Sequence, residues 1–319
     1  MFPLTLRSIL AATELSGDSD DILRAAGALA ALCGAELHVL HAFDLQDSPY
    51  TGDLGVTPTF QRRIADAERA LDGQIGRTLG RHAAVASRRV VIRTAFKAVV
   101  ERARDVAADL IVLGPSRRRP AGQRVLGSTA DRVIRTAEAP CLIVRGPVSL
   151  PLRRVVVPVD LSDYATGALE TALSWGLAFG APSTSGLPAV EVRVVHVVPS
   201  LFDLARVSVG HAVIGPELDR ETEAALERVE GSSALDVREE LLWGEPPAEE
   251  IVRYAEDNRA GLIVLGTHGY GAVRRAVVGS VASEVARRAS CAVLLVPPQV
   301  WGGIEATESH DYAGAAAAG

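Results

Sequence analysis

The stretch LIVLGTHGYGAVRRAVVGS at 262–280 decides the fold of this chain. It starts with a short apolar run, passes through a glycine-bearing loop, and ends at a serine that opens a helix-forming segment, VASEVARRA at 281–289. A short, continuous apolar run between turn signals indicates a strand covered on both faces. A strand, a loop and a helix in succession are the building unit of a parallel α/β sheet, so we predict an α/β fold.

The same succession occurs earlier in the chain, as ADLIVLGPS at 108–116 followed by VLGSTADRV at 125–133. Three other pairs of segments recur in the same order, and the two members of every pair are between 146 and 155 residues apart. These pairs are SILAATELS at 8–16 with RVVVPVDLS at 154–162, AELHVLHAF at 35–43 with VEVRVVHVV at 190–198, and APCLIVRGP at 139–147 with SCAVLLVPP at 290–298. Such self-similarity is the signature of a duplicated unit. We therefore predict two copies of one domain, named here copy one (1–147) and copy two (151–298).

Between the predicted strands lie segments with helical periodicity. In ELDRETEAALERVE at 217–230, for instance, the apolar residues fall mostly on one side of a helix. Strands that alternate with helices form parallel sheets with right-handed crossovers. Each copy is therefore expected to be a Rossmann-like βαβαβαβαβ domain, with a five-stranded parallel sheet and helices on both faces. Residues 44–58 and 181–189 are predicted as surface connections, and 299–319, which lacks an apolar period, as a disordered tail.

The composition excludes several classes of function. A net charge of −6 argues against nucleic acid as the main partner, because phosphate backbones require a concentrated basic face. No window of about 18 uninterrupted apolar residues occurs, so no membrane span is expected. Cys33, Cys141 and Cys291 lie far apart without a CxxC pair, so neither a metal site nor a redox role is predicted. The N-terminus lacks the pattern of a signal peptide, and we expect a cytoplasmic protein.

The loop of copy two carries the candidate chemistry, because it contains Gly266, Gly269 and Gly279 followed by Ser280. Glycine lets the backbone adopt positive φ and approach a ligand without a Cβ in the way. Ser280 opens a helix, where backbone N–H groups and the macrodipole attract anions and where its hydroxyl can donate to a phosphate. In an open α/β sheet such loops lie at the carboxyl ends of strands, where ligands bind. A purely structural interpretation stands beside this one, with Ser280 as a helix N-cap and Gly266 as a turn glycine.

A resemblance to a known family sharpens this interpretation. The loop GTHGYGAVRRAVVGS at 266–280 resembles the G-2x-G-9x-G-[S/T] signature of ATP-binding universal stress proteins, and VVVPVDLS at 155–162 resembles the first strand of that family. Both copies match along nearly their full length, so the chain resembles a tandem universal stress protein of the UspA type. The resemblance implies a sheet ordered 3-2-1-4-5, pairing of domains through the last strand and, in the nucleotide-binding branch, ATP held between the first and fourth strands.

The resemblance assigns nucleotide contacts to individual residues of copy two. Pro158 and Asp160 would lie at the adenosine, and Val197 would line the adenine. The contacts nearer the phosphates are Leu265 and Gly266 at the ribose and the first phosphate, and Gly269, Gly279, Ser280 and Val281 in the phosphate cradle. The alternative for Asp160 is a capping role at the following helix, although Ser162 and Asp163 are equally placed for that role.

Copy one departs from the signature. It retains three of its residues, Gly114, Gly127 and Ser128. Arg117 occupies the second glycine position, Glu14 replaces the aspartate, and Pro115 stiffens the loop and removes one N–H group. Because an arginine at a close backbone turn would obstruct the phosphate path, we expect a degenerate site that binds ATP weakly or not at all. The run Arg117–Arg119 could instead hold an anion by charge, but an exposed basic loop is the plainer interpretation.

Other nucleotide and catalytic motifs are missing. The P-loop pattern GxxxxGK[ST] is absent, and Lys97, the only lysine, does not follow a glycine loop. Neither first strand is followed by GxGxxG, and no GxSxG elbow occurs. His268, inside the loop of copy two, is interpreted as loop structure or a phosphate contact rather than as a general base. His41 and His196, at equivalent strand ends, are interpreted as structural residues.

Three hypotheses on function follow. The first is a cytoplasmic ATP-binding stress or signalling protein, which holds ATP, alone or with Mg²⁺, mainly in copy two and uses it to control association with a protein partner or with itself. The second is a slow ATP hydrolase, and the third is a nucleotide-free scaffold. The strands at 141–145 and 292–296 are expected to pair the copies within the chain, with a homodimer as a further association state. The partner, the stress and the choice among adenine nucleotides stay open.

Overall fold

The structure of the chain is a computed structural model, which describes residues 5–43, 58–80, 84–115, 126–162, 165–181, 189–198, 204–267 and 278–298. Most of both predicted surface connections, at 44–57 and 182–188, and the predicted tail at 299–319 lie outside these ranges. The same holds for Arg117–Arg119, His268 and Gly269 in the two loops.

In copy one the described residues form strands and helices in strict alternation. The strands are β1 (Ser8–Thr13), β2 (Glu36–Phe43), β3 (Ser87–Ile92), β4 (Leu110–Leu113) and β5 (Cys141–Ile143). The helices between them are α1 (Asp20–Cys33), α2 (Pro58–Thr78), α3 (Ala95–Asp105) and α4 (Ser128–Thr136). The predicted βαβαβαβαβ order is therefore confirmed for copy one.

Copy two repeats this order. Its strands are β6 (Arg154–Pro158), β7 (Glu191–Val198), β8 (Asp236–Trp243), β9 (Leu262–Gly266) and β10 (Ala292–Val296), and its helices are α5 (Ala165–Phe179), α6 (Leu204–Arg228), α7 (Pro247–Asp257) and α8 (Ser280–Arg288). The helix predicted at 217–230 lies within and just beyond α6, which begins earlier, at Leu204. None of the helices in the described ranges is both long and apolar enough to cross a membrane.

The strand order agrees with the prediction in both copies. The order is β3-β2-β1-β4-β5 in copy one and β8-β7-β6-β9-β10 in copy two, and every pairing within a copy is parallel. This is the 3-2-1-4-5 arrangement, in which the chain leaves the first strand to one side and later returns to the other.

The last strands of the two copies join them into one ten-stranded sheet. β5 pairs antiparallel with β10, with Ile143 opposite Val293 and Cys141 opposite Leu295. Cys141 is fully buried at this junction, and burial raises the pKa of its thiol to about 12. The expected pairing of the copies through 141–145 and 292–296 is thus present within the chain.

Each face of the sheet carries one apolar core that runs through both copies. The first face packs against α1, α2, α5 and α6, and the second against α3, α4, α7 and α8. Successive residues of β5 alternate between the two faces, with Leu142 in the first core and Ile143 in the second. Strands covered on both faces explain why the sequence shows continuous apolar runs rather than alternation.

The end of α5 shows how tightly copy two is packed. Gly180 follows this helix, pairs with Leu152 and donates its N–H to the carbonyl oxygen of Gly176 over 2.8 Å. A Cβ at Gly180 would lie 2.2 Å from that oxygen and 2.5 Å from Cγ1 of Val190. Since the nearest obstacle is backbone, it cannot move aside as a flexible side chain would.

We expect Gly180→Ala to lower the free energy of unfolding by about 3 kcal/mol, at the upper end of overpacking costs. Gly73→Ala is the matched control, because Gly73 lies within α2 with no atom within 4 Å of an added Cβ. That substitution should raise stability by about 1 kcal/mol through helix propensity. Urea unfolding of both variants is the measurement. Equal changes in the free energy of unfolding would contradict the close packing at Gly180.

Candidate functional site

The candidate site lies at the carboxyl ends of β6 and β9, where the strand order of copy two reverses. β6 pairs with β7 on one side and with β9 on the other. Val155 is level with Leu262 and Val156 with Ile263, so in this register Pro158 comes level with Leu265. The chain ends of two neighbouring strands therefore open into one crevice, which is where doubly wound sheets bind ligands.

One wall of this crevice is apolar. Leu265 is buried in the core under α7 and α8, and Val197 and Val281 pack against the same core while staying partly exposed. Pro158, two residues beyond Val156 on β6, faces the same side by the alternation of the strand. The structure thus brings together on one face four residues that were predicted from separate parts of the sequence.

Asp160 follows β6 and is exposed, but it is engaged in a turn. Its Oδ1 accepts hydrogen bonds from the Ser162 N–H over 3.2 Å and from the Ser162 hydroxyl over 2.5 Å. Ser162 thus uses the carboxylate of Asp160 to stabilise the turn. Leu161, between them, has φ of 59°, the left-handed region that rarely suits a leucine.

The corresponding turn of copy one has the same backbone. Leu15 also has φ of 59°, and Glu14, in the place of Asp160, is exposed. Strained backbone that persists at the same position in both copies marks a turn held by its surroundings, and such strain clusters at binding sites.

His196 and His41 occupy equivalent positions and make equivalent bonds. Nδ1 of His196 lies 2.9 Å from the carbonyl oxygen of Val159, and Nδ1 of His41 lies 2.8 Å from that of Thr13. Because a carbonyl only accepts, Nδ1 carries the proton in both rings. Each imidazole thus ties its second strand to the end of the first, as expected for a structural histidine.

The base of the copy-two loop is closed by backbone hydrogen bonds. The Gly279 N–H donates to the carbonyl oxygen of Thr267 over 2.8 Å, and the Thr267 N–H donates to that of Val296 over 3.0 Å. The N–H groups of Gly279 and Thr267 are therefore already bonded and are not available to an anion. Thr267 itself is buried, with its hydroxyl 3.5 Å from the same Val296 oxygen.

Helix α8 starts at the closed base of this loop. Gly279 is its N-cap, with φ −56° and ψ 148°, and Ser280 is the first helical residue and exposed. The interpretation of Ser280 as the N-cap is therefore wrong, and Gly279 does not need positive φ. What glycine contributes here is the missing side chain, since within the described residues the N-cap makes no side-chain bond to the first N–H groups. Those of Ser280, Val281 and Ala282 have no acceptor within the helix.

Copy one reproduces the described parts of this arrangement. Gly127 is the N-cap of α4, Ser128 is exposed at its first position, and the Gly127 N–H donates to the carbonyl oxygen of Pro115 over 2.5 Å. Pro115 has no N–H to match the bond from Thr267, so this loop lacks one tie to its sheet. Gly114, at the end of β4, packs closely, because a Cβ there would lie 2.9 Å from Cδ1 of Ile22.

The two helix starts differ in charge, a difference that lies outside the signature residues. α4 carries Asp131 in its first turn, paired with Arg135 over 2.9 Å, whereas the first turn of α8 has no acidic residue. Ser283 takes the place of Asp131, and its Oγ is buried with no hydrogen-bond partner in the part of the chain that the structure describes. Aligning the helices beyond the signature residues would have revealed this contrast.

A buried polar network stiffens the β1–α1 turn in copy one. The side chain of Gln74 on α2 is fully buried and accepts from Thr13 over 2.8 Å while donating to Asp20 over 2.8 Å. Arg77 also donates to both carboxylate oxygens of Asp20, over 3.0 and 3.1 Å. Burial alone would raise the pKa of Asp20, but the bonds from Arg77 and Gln74 and the charges of Arg77 and Arg24 lower it overall.

A lowered pKa means that the ionised Asp20 stabilises the fold above its unfolded pKa of about 3.9, and that this contribution is lost as pH falls through the folded pKa. We expect Asp20→Asn to cost about 2 kcal/mol at pH 7 and progressively less below pH ~4. Urea unfolding across pH 3 to 7 measures the difference in free energy of unfolding between the unmodified protein and the variant. Asp66→Asn, which breaks an exposed pair with Arg69, should cost under ~0.5 kcal/mol. A stability difference for Asp20→Asn that stays constant to low pH would contradict the lowered pKa of Asp20.

Two doubly wound sheets joined edge to edge, each with a crevice at its switch point, define a tandem α/β protein of the nucleotide-fold class. The model of the universal stress protein family matches residues 5–145 and again 151–297. The chain therefore belongs to the universal stress protein family, with two family domains in tandem.

Similarity to known proteins supports this family membership. A universal stress protein of Mycolicibacterium smegmatis is 28% identical over 306 residues, which cover 91% of this chain and 97% of that protein. One from Methanocaldococcus jannaschii is 33% identical over 148 residues, which cover 45% of this chain and 81% of that protein. The crystal structure of a universal stress protein from Archaeoglobus fulgidus has a TM-score of 0.61 at 20% identity and covers 91% of this chain and 95% of its own, a likeness of fold.

Proposed function

We propose that this universal stress protein binds ATP in copy two, between the ends of β6 and β9 and the start of α8. The observation that carries this assignment is the uncapped start of α8. Its first N–H groups lack helical acceptors, the N-cap glycine offers no side chain to cover them, and its first turn contains no acid. A helix start of this kind attracts phosphate through both its N–H groups and its macrodipole.

The surrounding residues suit the rest of a nucleotide. Val197, Leu265 and Pro158 supply an apolar surface for a base or ribose, since nucleotide pockets are mostly apolar with a few polar groups. The hydroxyl of Ser280 is exposed at the helix start and would donate to a phosphate oxygen. The buried, unpartnered Oγ of Ser283 is a further donor in the same helical turn. Gly269 would complete the cradle from its place in the signature.

Copy two is the preferred copy in this proposal for reasons of charge as well as motif. In copy one an anion at the start of α4 would approach Asp131, which is 37% exposed in its side chain, whereas α8 offers the neutral Ser283. Glu14, Gly114, Gly127 and Ser128, with Arg117 in the loop, would form at most a weak site.

ATP would bind alone or with Mg²⁺, and the phosphates themselves would coordinate that ion. Thr267 and His268 are the two loop residues that could assist hydrolysis, but Thr267 is 2% exposed and its hydroxyl lies 3.5 Å from the Val296 carbonyl oxygen. Binding without turnover is the role of a switch, in which bound ATP would bias association with a partner or a second copy of the chain during a cytoplasmic stress response.

We expect Gly279→Val to weaken ATP binding at least ~10-fold, a loss of about 1.4 kcal/mol, because a branched side chain would cover the start of α8. The backbone at Gly279 suits valine, and a Cβ there would lie 3.7 Å from the nearest atom, so the variant should fold. Gly127→Val is the matched control, since Gly127 has φ −70° and ψ 155° at the start of α4. Calorimetric titration with ATP, ADP, GTP and cyclic AMP gives affinity and preference.

Equal losses in the two variants would contradict the assignment to copy two. Failure of the unmodified protein to bind any of these nucleotides, in the presence and absence of Mg²⁺, would remove the proposed function and leave the nucleotide-free scaffold. Mass spectrometry of the purified protein under native conditions gives an independent check, because a tightly held nucleotide would be purified with the chain.

Charge at the start of α8 provides a separate prediction. We expect Ser283→Asp to weaken ATP binding about fivefold, because a carboxylate in the first turn offsets the macrodipole and repels phosphate. Ser283→Asn is the control for size, and Asp131→Ser in copy one should leave the affinity of copy two unchanged. Titrations at two salt concentrations provide the readout, since the effect of a charge shrinks with screening. Equal affinities of the Asp and Asn variants would contradict the electrostatic explanation.

A further inference from the structure

A side chain of copy one reaches across the junction to α8 of copy two. Arg145, two residues after β5, donates from Nη2 to the carbonyl oxygen of Arg287 over 2.8 Å and also to that of Ala286. Both carbonyls belong to the last turn of α8, which ends at Arg288. The last carbonyls of a helix lack partners within it and carry the negative end of its dipole, so a guanidinium suits this place.

The pleat of β5 explains why this side chain meets α8. Ile143 lies in the core under α7 and α8, and Val144 lies in the core on the opposite face. Continuing the alternation, Arg145 projects to the α8 side of the sheet. The antiparallel pairing of β5 with β10 places this end of copy one beside the strand that follows α8.

The contact exists in one direction between the copies. Leu113 pairs with Ile143 and the equivalent Leu265 pairs with Leu295, so Arg145 corresponds in register to Pro297, whose side chain cannot donate a hydrogen bond. α4 and α8 are the two equivalent helices that begin at a switch point. Among the described residues, α8 is the one whose far end is bonded by the other copy. That same helix presents the uncapped N–H groups of the candidate site.

We propose that Arg145 is a positioning residue for the nucleotide site of copy two, a role that rests on the proposed function. α8 has nine residues and is therefore about 13 Å long, so its two ends form one rigid body. Holding Ala286 and Arg287 in place fixes where Ser280 and Val281 point their N–H groups. The junction of the copies and the nucleotide are thereby coupled, and each influences the other by the same factor.

Arg145→Met tests this role, because methionine keeps an apolar stem and removes the donors. We expect the Kd for ATP to rise about fivefold, at the low end of typical couplings. The backbone amide NMR signals of Ser280, Val281 and Ala282 should also shift in the absence of nucleotide. Arg145→Lys, which keeps the charge and a donor, should restore most of both properties.

Arg104→Met is the matched control. Arg104 is an arginine of copy one that pairs with Glu138 over 2.8 Å, and within the described residues its hydrogen bonds and ion pairs stay in copy one. Arg104→Met should leave the Kd for ATP and the α8 amide signals unchanged. If Arg145→Met does not fold, Arg145→Leu, which also lacks a donor, replaces it with the same two measurements.

The two measurements separate this inference from the proposed function. A folded Arg145 variant with unaltered α8 amide signals and unaltered Kd would overturn the positioning role. Failure of Arg145→Lys to restore either property would also overturn it. If the unmodified protein binds no ATP, the proposed function fails, and the amide signals alone still decide whether Arg145 controls the far end of α8.

Discussion

The antiparallel pairing of β5 with β10 is the constraint on which the rest of the structure depends. Without it, each copy would end in an apolar edge strand with unpaired backbone groups, which is a site of aggregation. Pairing the two edges makes one sheet with a continuous core on each face. The crossover helices occupy the faces of this parallel sheet and not its strand ends, so among the described residues they leave the carboxyl ends of β6 and β9 uncovered.

The duplicated copies share a scaffold and differ in what that scaffold presents. Leu15 and Leu161 have the same φ, His41 and His196 bond to equivalent carbonyls, and both loops close on an N-cap glycine. These features hold the turns and loop bases in each copy, so they cannot by themselves distinguish a binding copy from a silent one. Charge at the helix start and the residues within the loop are where the copies diverge.

Arg145 adds an asymmetry that no comparison of the copies by motif would find. Its contact with α8 joins the junction of the copies to the helix of the candidate site. In the proposed arrangement copy one would support the ligand site of copy two, whereas two identical domains related by symmetry would support each other reciprocally.

Periodicity and duplication in the sequence determined the α/β class and the position of the candidate loop, because strands covered on both faces require continuous apolar runs. The strand order within each copy and the residues at the switch point came from the resemblance to universal stress proteins. Only the tertiary structure decided that Gly279 rather than Ser280 caps α8, that Ser162 engages Asp160, and that the N–H of Gly279 is already bonded. Hydrogen bonds of this kind depend on the placement of atoms within a few tenths of an ångström, which residue types and spacing do not specify.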